Sequence, residues 1–194
     1  MIGPVELAKI ASARAKVRSR VHDLLDLRPG GFPWIRVDGR ALTGWTVLDI
    51  DASLVPAHSD KEGAEPNRKG FGLHPILMFL DNTDEHLVCR LRPGSAGANT
   101  ASDHIEVSTE AIRQLPTRRR RKVLFRADGA GAAKEYLQWI TDGGGNKANT
   151  WQYSRSPLFA AEFVSRRAPS RGRTASEEHR RPLWSGRYSA HCRW

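Results

Sequence analysis

Residues 46–55 read TVLDIDASLV, and residues 71–91 read FGLHPILMFLDNTDEHLVCRL. In the first stretch Leu48, Ile50, Ala52 and Leu54 alternate with Val47, Asp49, Asp51 and Ser53, the period of a strand with two unlike faces. In the second, the apolar run over 71–80 predicts another strand, with Pro75 marking an edge or a bulge because proline has no N–H for the ladder. Asp81-Asn82-Thr83-Asp84 predicts a turn, and 86–91 predicts a third strand. Three strands with a short turn between the second and third predict an antiparallel meander.

The elements on either side set the fold class. Downstream, Thr100-Ala101-Ser102-Asp103 predicts the start of a helix that Pro116 stops. Residues 123–126 predict a short strand, 132–140 a further helix, and 151–154 the beginning of another strand. Upstream, 4–27 predicts one amphipathic helix, with Val5, Ala8, Val17, Val21, Leu24 and Leu25 on its packed side. Arg28-Pro29-Gly30-Gly31 ends it. The order is helix, three strands, helix, strand, helix, strand. That is an α/β layout with a mixed sheet, three antiparallel strands followed by βα units.

The chain has 194 residues, with 31 Lys+Arg against 21 Asp+Glu and a formal net charge of +10. A basic excess points to a polyanionic partner and says nothing of the fold. The excess is uneven. Residues 155–194 hold 9 basic and 3 acidic residues, and every basic one is Arg, so more than half of the surplus lies there. Leu, Ile, Val and Phe make up 5 of those 40 residues against 36 of the first 154, too few to offset ordering entropy by burial. The expectation for 155–194 is a disordered, Arg-rich tail. No stretch approaches about 18 consecutive apolar residues, which excludes a bilayer-spanning helix. The first 30 residues lack the apolar core of a secretory leader. Cys89 and Cys192 make neither a metal-type pair nor a disulfide framework, which fits a reducing cytoplasm.

Asp49 and Asp51 share one face of their strand. A carboxylate in an apolar strand is costly to bury unless it is paired or holds a cation. Asp128 lies at the carboxyl end of a short apolar strand, where ligands gather in open α/β sheets. If the first and fourth strands are neighbours, Asp51 and Asp128 face a common point. Two such carboxylates suit Mg2+, and two metal ions can serve phosphoryl transfer; the alternative is a pair of strand-end aspartates that cap turns. Asp128-Gly129-Ala130-Gly131-Ala132 has the look of a phosphate loop but lacks both G-x-G-x-x-G and the Walker lysine, and it reads as a tight strand-to-helix turn that needs small residues. Arg118, Arg119, Arg120, Arg121 and Lys122 form a basic run that is either a solvated loop or a set of phosphate contacts. His58, His74, His86 and His104 have no zinc-ligand spacing. Trp34, Trp45, Trp139 and Trp151 read as packing residues.

Three stretches carry a family resemblance: 42–83, LTGWTVLDIDASLVPAHSDKEGAEPNRKGFGLHPILMFLDNT; 91–104, LRPGSAGANTASDH; and 120–137, RRKVLFRADGAGAAKEYL. They resemble bacterial DDE-type insertion-sequence transposases, most closely the 1380 group. The resemblance implies a ribonuclease-H-like core, metal-dependent DNA cleavage and strand transfer, and two Mg2+ ions in the complete enzyme. It implies that Asp51, in DIDASLV, and Asp128, in FRADGAG, are the first two catalytic carboxylates and metal ligands, with Asp49 a neighbour. Implied partners are double-stranded DNA, both transposon ends and target, engaged by an oligomer in the bacterial cytoplasm at the nucleoid, with no membrane. Family members begin earlier and continue to a third carboxylate, a Glu on a late helix. The quoted resemblance stops after Tyr153-Ser154, and the Arg-rich remainder looks like translation in a shifted frame. The expectation is therefore a chain truncated at both ends, with a partial ribonuclease-H-like fold, no third carboxylate and no activity alone. It divides into 1–45, an N-terminal helix and linker; 46–154, the partial catalytic core; and 155–194, the tail. The competing reading is a non-catalytic, salt-dependent nucleic-acid-binding protein or a pseudogene product.

Overall fold

The computed structural model describes residues 3–37, 39–58, 61–97, 100–127 and 133–154. Its elements are α1 (Pro4–Leu27), β1 (Arg36–Val37), β2 (Arg40–Ala41), β3 (Thr46–Ala52), β4 (Val55–Pro56), β5 (Glu65–Asn67), β6 (Gly70–Leu73), β7 (Ile76–Leu80), β8 (Glu85–Arg90), α2 (Ala101–Gln114), β9 (Lys122–Ala127), α3 (Lys134–Thr141) and β10 (Thr150–Ser154). The strand-strand-strand-helix-strand-helix order of a ribonuclease-H-like core is present as β3, β7, β8, α2, β9 and α3. The tail from 155 onward lies outside the described residues.

The main sheet has five strands in the order β10-β9-β3-β7-β8. The expected meander is there: β3 pairs antiparallel with β7, and β7 antiparallel with β8. The register slips once, between Met78 and Phe79. On its other side β3 pairs parallel with β9, and β9 parallel with β10. The sheet is therefore mixed, with β3 at its centre.

Helices α2 and α3 cover one face. On α2 the buried positions are His104, Val107, Ser108, Ala111 and Gln114, the three-and-four spacing of one helix face. On α3 they are Tyr136 and Ile140. Leu48, Ile50, Ile76, Met78, Leu80 and Phe125 meet them from the sheet. Each large side chain removed from water here contributes roughly 1.5–3 kcal/mol. The Tyr136 hydroxyl and Ser108 Oγ share a hydrogen bond of 2.7 Å that ties α3 to α2, and burial pushes the phenol well above its usual titration range. The opposite face is also partly covered. Val47 and Leu124 pack there against Leu42 and Trp45, with Ile35 and Val37 of the β1 region beside them. Strict alternation along β3 predicted one apolar face, but the segment before β3 folds back and buries half of the other.

Three expectations need correction. First, 71–80 is not one strand. It is β6 and β7, which belong to different sheets, and the chain changes sheet at His74-Pro75. Without an N–H, Pro75 cannot carry the ladder on; its carbonyl accepts from Ser53 N–H at 3.3 Å, and His74 N–H donates to the Arg92 carbonyl at 3.0 Å. Second, 46–55 splits likewise into β3 and β4. The small sheet β4-β6-β5 is thus built from the outgoing ends of two core segments and lies at the Asp51 end of the main sheet. Gly72 is obligatory there: a Cβ on it would stand 2.1 Å from the Val55 carbonyl oxygen.

Third, α1 has the expected limits but the wrong side turned in. Val5, Val17, Val21 and Leu24 are 44–64% exposed, while Arg18 and His22 are buried. Val17 and Val21 precede Arg18 and His22 by one position each, about 100° around the helix. The helix docks through polar groups instead. Arg18 donates to Glu85 at 2.7 and 2.9 Å and to the Gln114 carbonyl and Oε1 at 3.0 and 2.9 Å. Arg14 Nη2 donates to the His86 carbonyl at 2.7 Å. No helix among the described residues is long and apolar enough to cross a membrane.

Candidate active site

Alternation along β3 sends Leu48 and Ile50 into the helix-covered core and Asp49 and Asp51 to the other face. The two aspartates share residue type, strand and face, yet their surroundings differ completely.

Asp49 is 2% exposed. Its neighbour across the parallel ladder is Arg126. Arg126 Nε donates to Oδ1 and Nη2 to Oδ2, both at 2.6 Å, and Nη2 also reaches Asp81 Oδ2 at 2.6 Å. This is a bidentate guanidinium–carboxylate pair with a second carboxylate on the same fork. Burial pushes the Asp49 carboxyl up, and the Arg126 guanidinium opposes it. Burial acts against the charge on Arg126 as well, but the two carboxylates outweigh it and hold Arg126 protonated. Both oxygens of Asp49 are engaged by the Arg126 fork, which already supplies its counter-charge.

Asp51 lies one residue before the end of β3 and is partly buried. Its Oδ2 accepts from Ser53 Oγ at 2.6 Å. Among the described residues no Lys, Arg or His pairs with it, and no other donor reaches it. The result is a carboxyl group held by one hydroxyl, with no cationic side chain paired to it among the described residues. That is the donor type a hard cation takes. Asp128 lies outside the described residues. Ala127, the residue before it, stands opposite Ile50, the residue before Asp51. Among the described residues there is no group of three or more His, Cys, Asp or Glu side chains that could hold a metal. Asp51 is the member of the expected ligand set that the described residues supply, and it fits the role; Asp49 does not.

The basic run divides. Arg118 pairs with Asp23 at 2.8 Å and with Asp26 at 3.1 Å on α1. Arg119 is buried, pairs with Asp26, and lies over the Phe32 and Trp34 rings at 3.9 and 4.9 Å. Arg120 donates to the Leu115 and Arg113 carbonyls. All three are engaged within the fold, Arg118 and Arg119 by acids of α1 and Arg120 by backbone carbonyls. Arg121 and Lys122 are exposed. The run is also at the wrong end of the sheet for the carboxylates. Thr46 is level with Val123, so Lys122 and Asp51 are about six residues apart along the ladder, roughly 20 Å.

Sequence reasoning passed over Arg126 and Asp81. The signal was present: Arg126 interrupts an apolar strand just as Asp49 does, and a buried charge of each sign on two strands calls for one another.

A search of curated proteins returned no match. One solved structure described as "Mos1 transposase paired-end complex with left transposon end" is similar, with 13% identity and a TM-score of 0.39, covering 80% of this chain. The chain spans about half of that structure's chain, 47% of its length. Residues 39–191 match the family described as transposase DDE domain group 1. The match runs through β3, β9 and α3 and continues beyond Ser154, past the point where the quoted resemblance stops. It supports the DDE assignment and leaves the 1380 subgroup undecided. By this match over most of its length, the chain belongs to the transposase DDE domain family.

Proposed function

We propose that this chain is the core portion of a DDE transposase and that Asp51 is its first catalytic carboxylate. The observation that carries the reading is the contrast on β3: Asp49 is paired with Arg126, while Asp51, near the carboxyl end of the central strand, has no paired cation among the described residues. Asp128, next in sequence after Ala127, the last residue of the neighbouring parallel strand, is the second carboxylate. The substrate is double-stranded DNA, at the transposon ends and at the target, handled by an oligomer. The reaction is cleavage of a phosphodiester and transfer of the strand by in-line displacement at phosphorus.

Mg2+, held as two ions in the complete enzyme, would supply Lewis acidity at the attacking and leaving oxygens. Asp51 and Asp128 would hold it. Ser53 has a positioning role: its hydroxyl donates to Asp51 Oδ2 and leaves Oδ1 without a described donor. Arg126 neutralises Asp49 and keeps a second, competing anion from drawing the cation inward.

No third motif carboxylate is assigned within 1–194, so the test reads metal binding rather than turnover. Titrating the protein with Mn2+ and following the free ion by electron paramagnetic resonance should give saturable binding. Asp51→Asn should weaken it at least tenfold, and Asp49→Asn should leave the affinity within about threefold. Unchanged binding in Asp51→Asn would remove Asp51 from the site.

A further inference from the structure

At the other end of the sheet a cleft of about 500 Å³ opens between α2, the loop after α3 and the start of β10. Its volume is in the range of small-ligand sites. Three guanidinium-bearing residues line it, Arg113, Arg120 and Arg121, together with the half-buried indoles of Trp139 and Trp151 and the amide of Asn149. No described acidic residue lines it. Three cations around one concavity without a counter-charge leave a positive potential that favours an anion.

The walls are set rather than loose. Trp151 Nε1 donates to the Arg120 carbonyl at 2.8 Å. Trp139 and Trp151 pack on each other at 5.1 Å and both rest on Phe125 of the core. The 143–145 turn lies against them: a Cβ on Gly144, whose φ is +63°, would stand 2.5 Å from the Trp151 ring. Asn149 Nδ2 ties the same turn down through the Gly143 carbonyl at 2.9 Å. Arg120 is spent on two backbone carbonyls and forms part of the wall. Arg113 and Arg121 are exposed, and no described acid is paired with either side chain. Free guanidinium groups beside an aromatic floor are the chemistry that takes a phosphate and the sugar or base next to it.

We propose that this cleft is a second nucleic-acid contact, in which Arg113 and Arg121 hold a backbone phosphate and the Trp139–Trp151 pair receives the adjoining sugar or base. It lies roughly 20 Å along the ladder from Asp51. It anchors the strand away from the reacting bond and takes no part in the chemistry. The inference rests on the nucleic-acid reading above, and its test separates the two.

Fluorescein-labelled 20-mers of mixed sequence, one duplex and one single-stranded, are titrated with the full chain by anisotropy between 50 and 200 mM salt. Arg113→Gln/Arg121→Gln is compared with Lys9→Gln/Lys16→Gln, which removes the same charge from exposed positions on α1. The cleft pair should lose about tenfold in affinity at 50 mM salt. The slope of log K against log salt should fall by about one phosphate's worth, roughly 0.9 on duplex or 0.7 on single strand. The α1 pair should lose less than threefold. Arg113→Lys/Arg121→Lys should recover part of the loss. A loss confined to the single strand assigns the cleft to an unpaired nucleotide, and a loss on both probes assigns it to backbone alone; either supports the site. Equal losses in the two Gln pairs would show that net charge acts and the cleft does not. No binding of the unmodified chain to either probe would overturn the nucleic-acid reading itself.

Discussion

The β3–β9 ladder carries carboxylates toward one end and guanidinium groups at the other, and the two ends are held in opposite ways. At the basic end most of the charge is consumed: Arg118 and Arg119 by Asp23, Asp26 and two aromatic rings, Arg120 by backbone carbonyls. At the acidic end Asp49 is consumed by Arg126, but Asp51, two residues on, is left to a single hydroxyl. Charge of the right sign in the right stretch therefore says little until its partners are counted. Asp51 at one end, and Arg113 and Arg121 at the other, have no described side chain of opposite charge paired with them, and these are the residues we propose meet the metal and the nucleic acid.

The largest effect is expected where the middle of the ladder is broken. Arg126→Gln would leave Asp49 buried with no counter-charge, and Asp81 would lose its partner as well. Removing one member of a buried pair costs about 3–5 kcal/mol. Urea unfolding should show that loss as a lower midpoint. Asp49→Asn/Arg126→Gln should recover much of it, because no buried charge then stands alone. If the double variant is no more stable than the single, the pair is not what stabilises the centre of the sheet.

The next effect belongs to the basic end and depends on pH. His22 is buried, neither ring nitrogen has a hydrogen-bond partner among the described residues, and its ring meets Phe32 edge-on at 5.0 Å. Burial first, and then the positive charge of Arg119, lower its pKa from 6.5 to about 4. The unfolded chain takes up this proton near pH 6.5 and the folded chain only near pH 4. Stability is therefore complete above pH 6.5 and declines as pH falls toward 4. A shift of this size corresponds to at most about 3–4 kcal/mol across the window. His86 shifts in the same direction. His22→Leu should flatten the pH dependence of the unfolding midpoint between pH 6.5 and 4; an unchanged slope would clear His22 of the effect.

How much of this could be read from the sequence follows from the range of the interactions. The five strands of the main sheet and the three helices were legible because period-2 and three-and-four spacing are local, and so is the Asp81–Asp84 turn, but the short strands of the two smaller sheets were not. The limits of α1 were legible for the same reason, but its packed side was not. Periodicity groups residues onto a face, and the choice between the Val17–Val21 side and the Arg18–His22 side was made by Glu85 and Gln114, far along the chain. Pro75 was visible as an interruption, but its result, a change of sheet, depends on pairing with β4 and β5. Asp51 was singled out by its motif. What sets it apart from Asp49 was not readable from spacing, because the residue that silences Asp49 lies on another strand, at 126. The partners of the basic run could not be read from spacing, because Asp23 and Asp26 lie more than 90 residues upstream.

The smallest effects divide that run residue by residue. Arg119→Ala removes the pair with Asp26 and the stacking on Phe32 and Trp34, and exposes those rings. Roughly 2 kcal/mol is expected from such a desolvated cation–π contact with its packing. Arg121→Gln changes an exposed side chain with no described acid partner and should alter the unfolding midpoint by no more than about 0.5 kcal/mol in free energy. The two substitutions remove the same charge from positions two residues apart. A difference between them therefore cannot come from net charge and has to come from what each side chain touches. Equal and large losses would mean that the run acts as one structural brace, which would leave Arg121 no freedom to meet a phosphate. A loss at Arg119 alone would place the boundary between brace and free cation inside 118–122.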